Sequence, residues 1–313
     1  MLHRYSVYEG RIAHSDEGAI PVDVYVMPDG EERAFLTDKL GIDPHTLASS
    51  IDPDETPRIE FEDDYIAIIL KYPKNYSADD NFLFLVKSMG IFLFADRVVL
   101  VMDEEFPQLF TGKFATKVYT KQDVLLRVLT QTIRHFESHL RVINMCSNDI
   151  ETHLNESYNS SNLLDMFTLK KSLVYYVNAL SGNRRAFERI QVGASKFQFT
   201  EDNIELLEDL QIENRQFLDQ AQVYSQILSG LVDARSSIIN NNLNVLMKNM
   251  NAIVIAVAIP TFFTGVFGMS EFTRFFCGDV EGKYWYISFP VFFILMTALA
   301  FFVFWLIKKF EKH

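Results

Sequence analysis

Two stretches near the end of the chain, Asn249 to Ser270 and Tyr284 to Ile307, carry no charged side chain. Each is over twenty residues long, enough at about 1.5 Å per residue to cross a hydrocarbon core of roughly 30 Å. The rival reading, a pair of buried helices in a water-soluble protein, fails on length, because such helices are seldom uncharged for so long. Pro260 removes one backbone donor from the first span and is expected to bend it, which membranes tolerate when neighbouring groups take up the freed carbonyl. Gly265 and Gly268 follow on the same span, and small residues let helices approach closely. Lys308, Lys309 and Lys312 come directly after the second span and mark the cytoplasmic side. Two spans then return the N-terminal part to the cytoplasm and leave Glu271 to Lys283 outside. Phe272, Phe275, Phe276, Tyr284, Trp285 and Tyr286 suit an interfacial aromatic belt at that side.

Upstream of the first span, Leu207, Leu210, Phe217, Ala221, Tyr224, Leu228, Leu231, Ile238 and Val245 recur at steps of three and four, interrupted by Asn214, Arg235 and Asn242. With no proline between Glu201 and Ile259, the economical reading is one helix from Glu201 to Phe267. Its stripe can pack in a coil against other helices or on its own domain. At the membrane-proximal end Asn240, Asn241, Asn242, Asn244, Asn249 and Asn251 cluster around Lys248. Amides entering a bilayer are costly unless they face water or polar neighbours. Two spans of one chain cannot enclose water, whereas first spans arranged around an axis can. The pattern therefore points to a closed homo-oligomer, with a simple interfacial polar cap as the plainer reading.

The remainder is acidic: the whole chain has a net charge of −12. No basic patch suited to phosphate backbones is evident, which excludes nucleic acid as a partner. Two cysteines, Cys146 and Cys277, make neither a disulfide framework nor a cysteine metal site. Met1 to Tyr5 shows no basic region followed by an apolar core, so no signal peptide is expected. Strand-like runs occur at Ile20–Val26, Tyr65–Leu70, Phe82–Val86, Gly90–Phe94 and Val98–Met102, and helical ones at Glu31–Leu40 and Pro44–Ile51. From about Gln122 the pattern turns helical, over Val124–Asn155 and Leu163–Ile190, with a turn at Gly193–Phe199. The expected fold is an α+β cytosolic domain, an α/β/α-like sandwich, followed by long stalk helices and a two-helix transmembrane hairpin. The expected organisation is a cytosolic α/β domain over 1–120, a helical hairpin over 121–200, a stalk over 201–248, spans over 249–270 and 284–307 joined by an external loop at 271–283, and a basic tail over 308–313. Neither a phosphate-binding glycine loop nor a nucleophile elbow is present, so an enzyme is not expected. His135 and His139, four apart on a helix, have a spacing that suits a metal, but no third ligand is evident and they read as solvent-facing.

These residues resemble the CorA-type divalent-cation transporter family over nearly the full length. The order of parts matches, and so do Ile51-Asp-Pro-Asp-Glu-Thr-Pro57 with Phe61-Glu-Asp-Asp-Tyr65, Ser229-Gly-Leu-Val-Asp233, Asn244-Val-Leu-Met-Lys248 and Pro260-Thr-Phe-Phe-Thr-Gly-Val-Phe-Gly-Met-Ser270. The family signature at the end of the first span is Gly-Met-Asn; here it is Gly268-Met269-Ser270. The resemblance implies a pentamer in the cytoplasmic membrane with both termini cytosolic. It implies a selectivity mouth at Gly268, Met269 and Ser270, where amide oxygens in the family accept hydrogen bonds from water around a hydrated magnesium ion, and pore-lining positions at Asn244, Met247 and Thr261. It also implies Mg2+ as cargo, with Co2+ and Ni2+ alongside, and as regulator, bound between subunits by Asp209 with Asp79 or Asp80. Serine at the mouth is shorter and offers one hydroxyl. It leaves two alternatives open: a Zn2+ transporter of the ZntB type, and a membrane-anchored structural or regulatory oligomer that has lost transport.

Overall fold

The computed structural model describes residues 1–14, 19–77, 80–106, 109–154, 160–268 and 285–310. They fall into two units, Met1–Val232 and Asp233–His313.

The first unit is built on a seven-stranded sheet. Its strands are β1 (Leu2–Tyr8), β2 (Arg11–Ala13), β3 (Ile20–Val26), β4 (Arg58–Phe61), β5 (Tyr65–Pro73), β6 (Val86–Phe94) and β7 (Val98–Met102). Their spatial order is β2-β1-β3-β7-β6-β5-β4. Only β3 and β7 run parallel, with Val22 opposite Val98; the other pairs are antiparallel. The central strands are apolar on both faces, as strands covered on both sides must be. Ile68, Leu70, Met89, Ile91, Val98 and Leu100 point to one core, and Ala67, Phe92, Val99 and Val101 to the other. Over the second face lie α1 (Gly30–Ala34), which runs into a π-turn over Phe35–Lys39, and α2 (Pro44–Ser49). Asp29 and Glu32 form a reciprocal capping box on α1, and Asp43 caps α2 with Pro44 at its first turn. Over the first face lie α3 (Lys121–Leu154), α4 (Ser160–Val192), the short α5 (Ala194–Phe197) and the start of α6 (Glu201–Phe267). The unit is therefore an α/β/α sandwich. Beyond the sheet, α3, α4 and α6 form their own core around Phe136, Leu140, Leu173, Tyr176, Leu218 and Leu228.

Of the run Phe82–Val86 only Val86 is in a strand, continuous with Gly90–Phe94 in β6; residues 82–85 are not. Their backbone is claimed by α4 instead: Phe84 N–H donates to Ser172 Oγ at 2.9 Å, and the same hydroxyl donates to the Phe82 carbonyl at 3.2 Å. The same helix finishes the sheet edge. Where β4 stops, the fully buried Asn183 amide accepts from Lys71 N–H at 2.9 Å and donates to Lys71 C=O at 2.8 Å, standing in for a strand. The Asp52–Pro57 segment docks beside it. Lys71 sends a buried ammonium to the Pro53 carbonyl and Ser88 Oγ, and burial lowers its pKa. Gly182 gives Pro57 room, since a Cβ there would lie 2.7 Å from its Cγ.

The histidine pair is not solvent-facing. His139 is buried with its ring 4.5 Å from that of His135, and its Nδ1 lies 2.7 Å from the Tyr176 hydroxyl; Phe106 stacks on His135. Burial pulls His135 down to about 4 and His139 to about 3, the latter helped by its neighbour. Both are neutral when folded, while the unfolded chain takes up protons below about 6.5. Stability is therefore full above pH 6.5 and lost as pH falls toward 4, by up to ~1.4 kcal/mol per pH unit from each ring. His135→Phe, which keeps the stack, is expected to flatten the decline in thermal midpoint between pH 6.5 and 4.5 by about half of the histidine contribution. An unchanged slope would contradict the assignment.

α6 is one unbroken helix of 67 residues that runs through Pro260. Leu207, Leu210, Ala221 and Leu228 of its stripe are buried on the first unit, whereas Ile238 and Val245 are exposed. Of the two readings of that stripe, packing on its own domain holds to Val232. The second unit contains the rest of α6 and the apolar α7 (Trp285–Phe310). α6 contains a stretch long and apolar enough to cross a membrane, and the apolar part of α7 described here is the shorter Phe293–Ile307.

Candidate functional site

At about 100° per residue, Asn244, Met247, Asn251, Val254, Ala258, Thr261 and Gly265 fall on one side of α6. All seven are exposed, Met247 at 59% and Val254 at 62%. The opposite side carries Ala252 and Ala256, at 4% and 6% exposure, and then Pro260. Pro260, Val257 and Thr264 meet Phe293, Met296, Thr297 and Ala300 of α7 around a pocket of about 240 Å³. From Ala252 on, α7 thus covers one side of α6 and leaves the stripe open; over 236–251 every side chain is exposed. Thr261 stands at the border: it belongs to the open stripe and also lines that pocket. Its hydroxyl donates to the Val257 carbonyl at 2.8 Å, so towards any ion it presents only oxygen.

The open stripe suits a hydrated cation. The amides of Asn244 and Asn251 supply acceptor oxygens for ion-bound water, and Met247 and Val254 between them offer no group to hold it. Ala258 and Gly265 carry little or no side chain, so copies of this helix can approach closely. Asn251, Val254, Ala258 and Gly265 extend the set Asn244, Met247, Thr261, and the signal for them is the same three-and-four spacing. Gly268 closes α6, its N–H donating to the Thr264 carbonyl at 2.9 Å. Met269 and Ser270 lie outside the described residues.

The acidic residues do not assemble within one chain. Asp209 is exposed on α6 and lines a groove of about 370 Å³ with Glu213, Lys117, Arg127 and Arg134, three cations against two carboxylates. Asp80 is spent locally. Its carboxylate accepts from Ser77 N–H at 2.8 Å, Ser77 Oγ at 3.0 Å and Lys74 Nζ at 3.0 Å. The Ser77 backbone bond, then Lys74, hold it below the usual carboxylate range. Asp79 lies outside the described residues. Among the described residues no three His, Cys, Asp or Glu side chains converge as a metal site. Among the described residues, Asp209 and Asp80 thus bring no shared ligand set together in a single chain.

A family model described as "CorA-like Mg2+ transporter protein" matches residues 23–309. The cobalt/magnesium transport protein CorA of Methanocaldococcus jannaschii is 25% identical over 269 residues, covering 83% of this chain and 82% of that protein. The complete structure of the CorA magnesium transporter from the same organism superposes with a TM-score of 0.74 at 20% identity, covering 100% and 98% of the two chains. Full-length CmaX gives 0.67 at 15% identity, with 99% and 97% covered. The cytoplasmic domain of ZntB from Vibrio parahaemolyticus gives 0.58 at 11%, with 77% and 98% covered. With sandwich, long helix and terminal apolar helix in the order the family requires, and its model matched from Asp23 to Lys309, this chain belongs to the family of CorA-like Mg2+ transporter proteins.

Proposed function

We propose that the chain assembles as a homopentamer in the cytoplasmic membrane, termini in the cytosol, and passes divalent cations along an axis lined by the open stripe of α6. The observation that carries this reading is the α6 stripe of Asn244, Met247, Asn251, Val254 and Ala258, exposed throughout, which from residue 252 on lies opposite the side that meets α7. Mg2+ is the first candidate for the cargo, with Co2+ and Ni2+ next. Mg2+ sheds water reluctantly, and a path of amide oxygens and unreactive side chains can conduct it with its waters kept. The membrane potential supplies the drive, about 4.6 kcal/mol for a doubly charged ion per 100 mV. The name of the Methanocaldococcus relative, a cobalt/magnesium transporter, supports this cargo.

Gating by cytosolic Mg2+ through Asp209 draws no support from its cation-rich surroundings in one chain; such an ion needs further ligands from another subunit. The serine at the mouth favours a second reading, an altered cargo such as Zn2+, because one hydroxyl binds hydrated Mg2+ less well than an amide. Ion competition separates them. In liposomes loaded with a magnesium-sensitive dye, excess Co2+ or Ni2+ is expected to slow Mg2+ entry, and Ser270→Asn to raise Mg2+ flux severalfold. Zn2+ entry without Mg2+ entry, unaltered by Ser270→Asn, would overturn the Mg2+ assignment.

A further inference from the structure

A groove of about 880 Å³ opens in the first unit between β4, the end of α4 and α5. Four cations line it: Arg58, Arg185, Arg189 and Lys196, with Glu188 the one acid. Two of these charges are accounted for inside the chain. Arg58 is held by Glu55 at 2.7 Å and Glu60 at 2.6 Å, and Glu188 faces Arg184 at 3.6 Å. The other three meet no carboxylate among the described residues. Arg185 reaches only the Ser181 hydroxyl, at 3.3 Å, Lys196 lies 4.3 Å from the centre of the Phe61 ring, and the Arg189 guanidinium has no hydrogen bond or ion pair there.

Folding does not explain this arrangement. Arg185 and Arg189 are four apart on one helix face, where like charges repel. The helix dipole favours Arg189, which stands in the last turn of α4, but not Arg185. In a chain of net charge −12, intramolecular partners were plentiful, yet the groove's one acid, Glu188, faces Arg184 instead of these three. Val192, beside them, is 89% exposed, and Phe61 forms the groove's aromatic wall. Cations lining a concavity next to exposed apolar surface are the complement of an anion with an apolar part. The volume exceeds what one phosphate fills.

We propose that this groove binds an oligophosphate anion of the nucleoside triphosphate class, its phosphates on Arg185, Arg189 and Lys196 and its nucleoside part against Val192 and Phe61. The test uses the full chain in detergent, with calorimetry and thermal unfolding in ATP, tripolyphosphate or adenosine. Free Mg2+ is held equal throughout, because oligophosphates chelate it. ATP and tripolyphosphate are expected to bind and raise the midpoint, less so at high salt, and adenosine to do neither. Tighter binding of ATP than of tripolyphosphate sustains the nucleotide assignment; equal binding overturns the seat for the nucleoside at Val192 and Phe61 and leaves an oligophosphate site. Arg185→Gln with Arg189→Gln is expected to weaken binding at least tenfold while leaving the ligand-free midpoint and oligomeric mass unchanged. No binding at millimolar concentration would overturn the proposal. So would a ligand-free fall in midpoint or mass in the double variant, which would mark the groove as a seat for an acidic segment of another copy.

Discussion

Asn244→Leu is expected to cut divalent-cation flux by at least tenfold, because in the proposed oligomer it replaces amides around the axis with an apolar constriction. Asn244 is the first amide of the open stripe, four residues before Lys248 and seven before Asn251. A hydrated divalent ion passing an apolar ring finds no acceptor for its waters, and narrow apolar rings close by losing water. Tenfold in rate corresponds to about 1.4 kcal/mol on the barrier, modest beside the stabilisation that several amides around one ion can give. The side chain is exposed, in a stretch of α6 where every residue from 236 to 251 is exposed, so the substitution leaves subunit folding intact. Flux per reconstituted protein is the readout, with the thermal midpoint as control. Unchanged flux would remove Asn244 from the ion path.

The second large effect is on the fold. Gly90 lies in the middle of β6, where a Cβ would collide with Ser50 Oγ and stand 2.7 Å from Ser50 Cβ and 2.9 Å from Phe92 Cε2. Ser50 is fully buried at the end of α2, its hydroxyl bonded to the Thr46 carbonyl at 3.0 Å. Neither neighbour has room to retreat, since Ser50 and Phe92 are both fully buried. Gly90→Ala is expected to cost about 3 kcal/mol, the upper range for forcing atoms into a packed core. It should appear as a lower thermal midpoint. Adding Ser50→Gly, which removes the colliding atoms, is expected to recover part of the loss. No recovery would place the cost elsewhere, and no loss would refute the close approach.

The parts of this architecture that are legible in sequence are those whose pattern is local. α6 reads directly because it lacks proline until residue 260 and repeats at three and four. β3 and β7 read from dense β-branched runs. β1, β2 and β4 do not: Leu2–Tyr8 is interrupted by His3, Arg4 and Ser6, and β2 and β4 span only three and four residues at or near the sheet edges. Residues 82–85 mislead, since an aromatic run reads as strand while its backbone partner, Ser172, lies about ninety positions away. The histidine pair misleads for a related reason. Polar residues at a four-residue step read as a solvated face, and the group that accommodates them, Tyr176, sits on another helix.

The candidate site divides in the same way. Asn244, Met247 and Thr261 are implied by the family resemblance, and helical spacing then places Asn251, Val254, Ala258 and Gly265 on the same side of α6. The surroundings of Asp209 are not legible in this way, because Lys117, Arg127 and Arg134 come from elsewhere in the chain and turn an acidic position into a cation-rich groove. Asp80 likewise looks available in sequence and is consumed by Ser77 and Lys74. Carboxylates in an acidic chain are common, and only the fold says which of them are already paired.

The most direct measurement is divalent-cation entry into sealed liposomes containing the purified full chain, with an inside-negative potential and an internal indicator dye. The account predicts protein-dependent entry of Mg2+ that Asn244→Leu reduces at least tenfold. No protein-dependent entry of Mg2+, Co2+, Ni2+ or Zn2+, from a sample that keeps its oligomeric mass and thermal midpoint, would contradict it and leave the chain a membrane-anchored oligomer without transport.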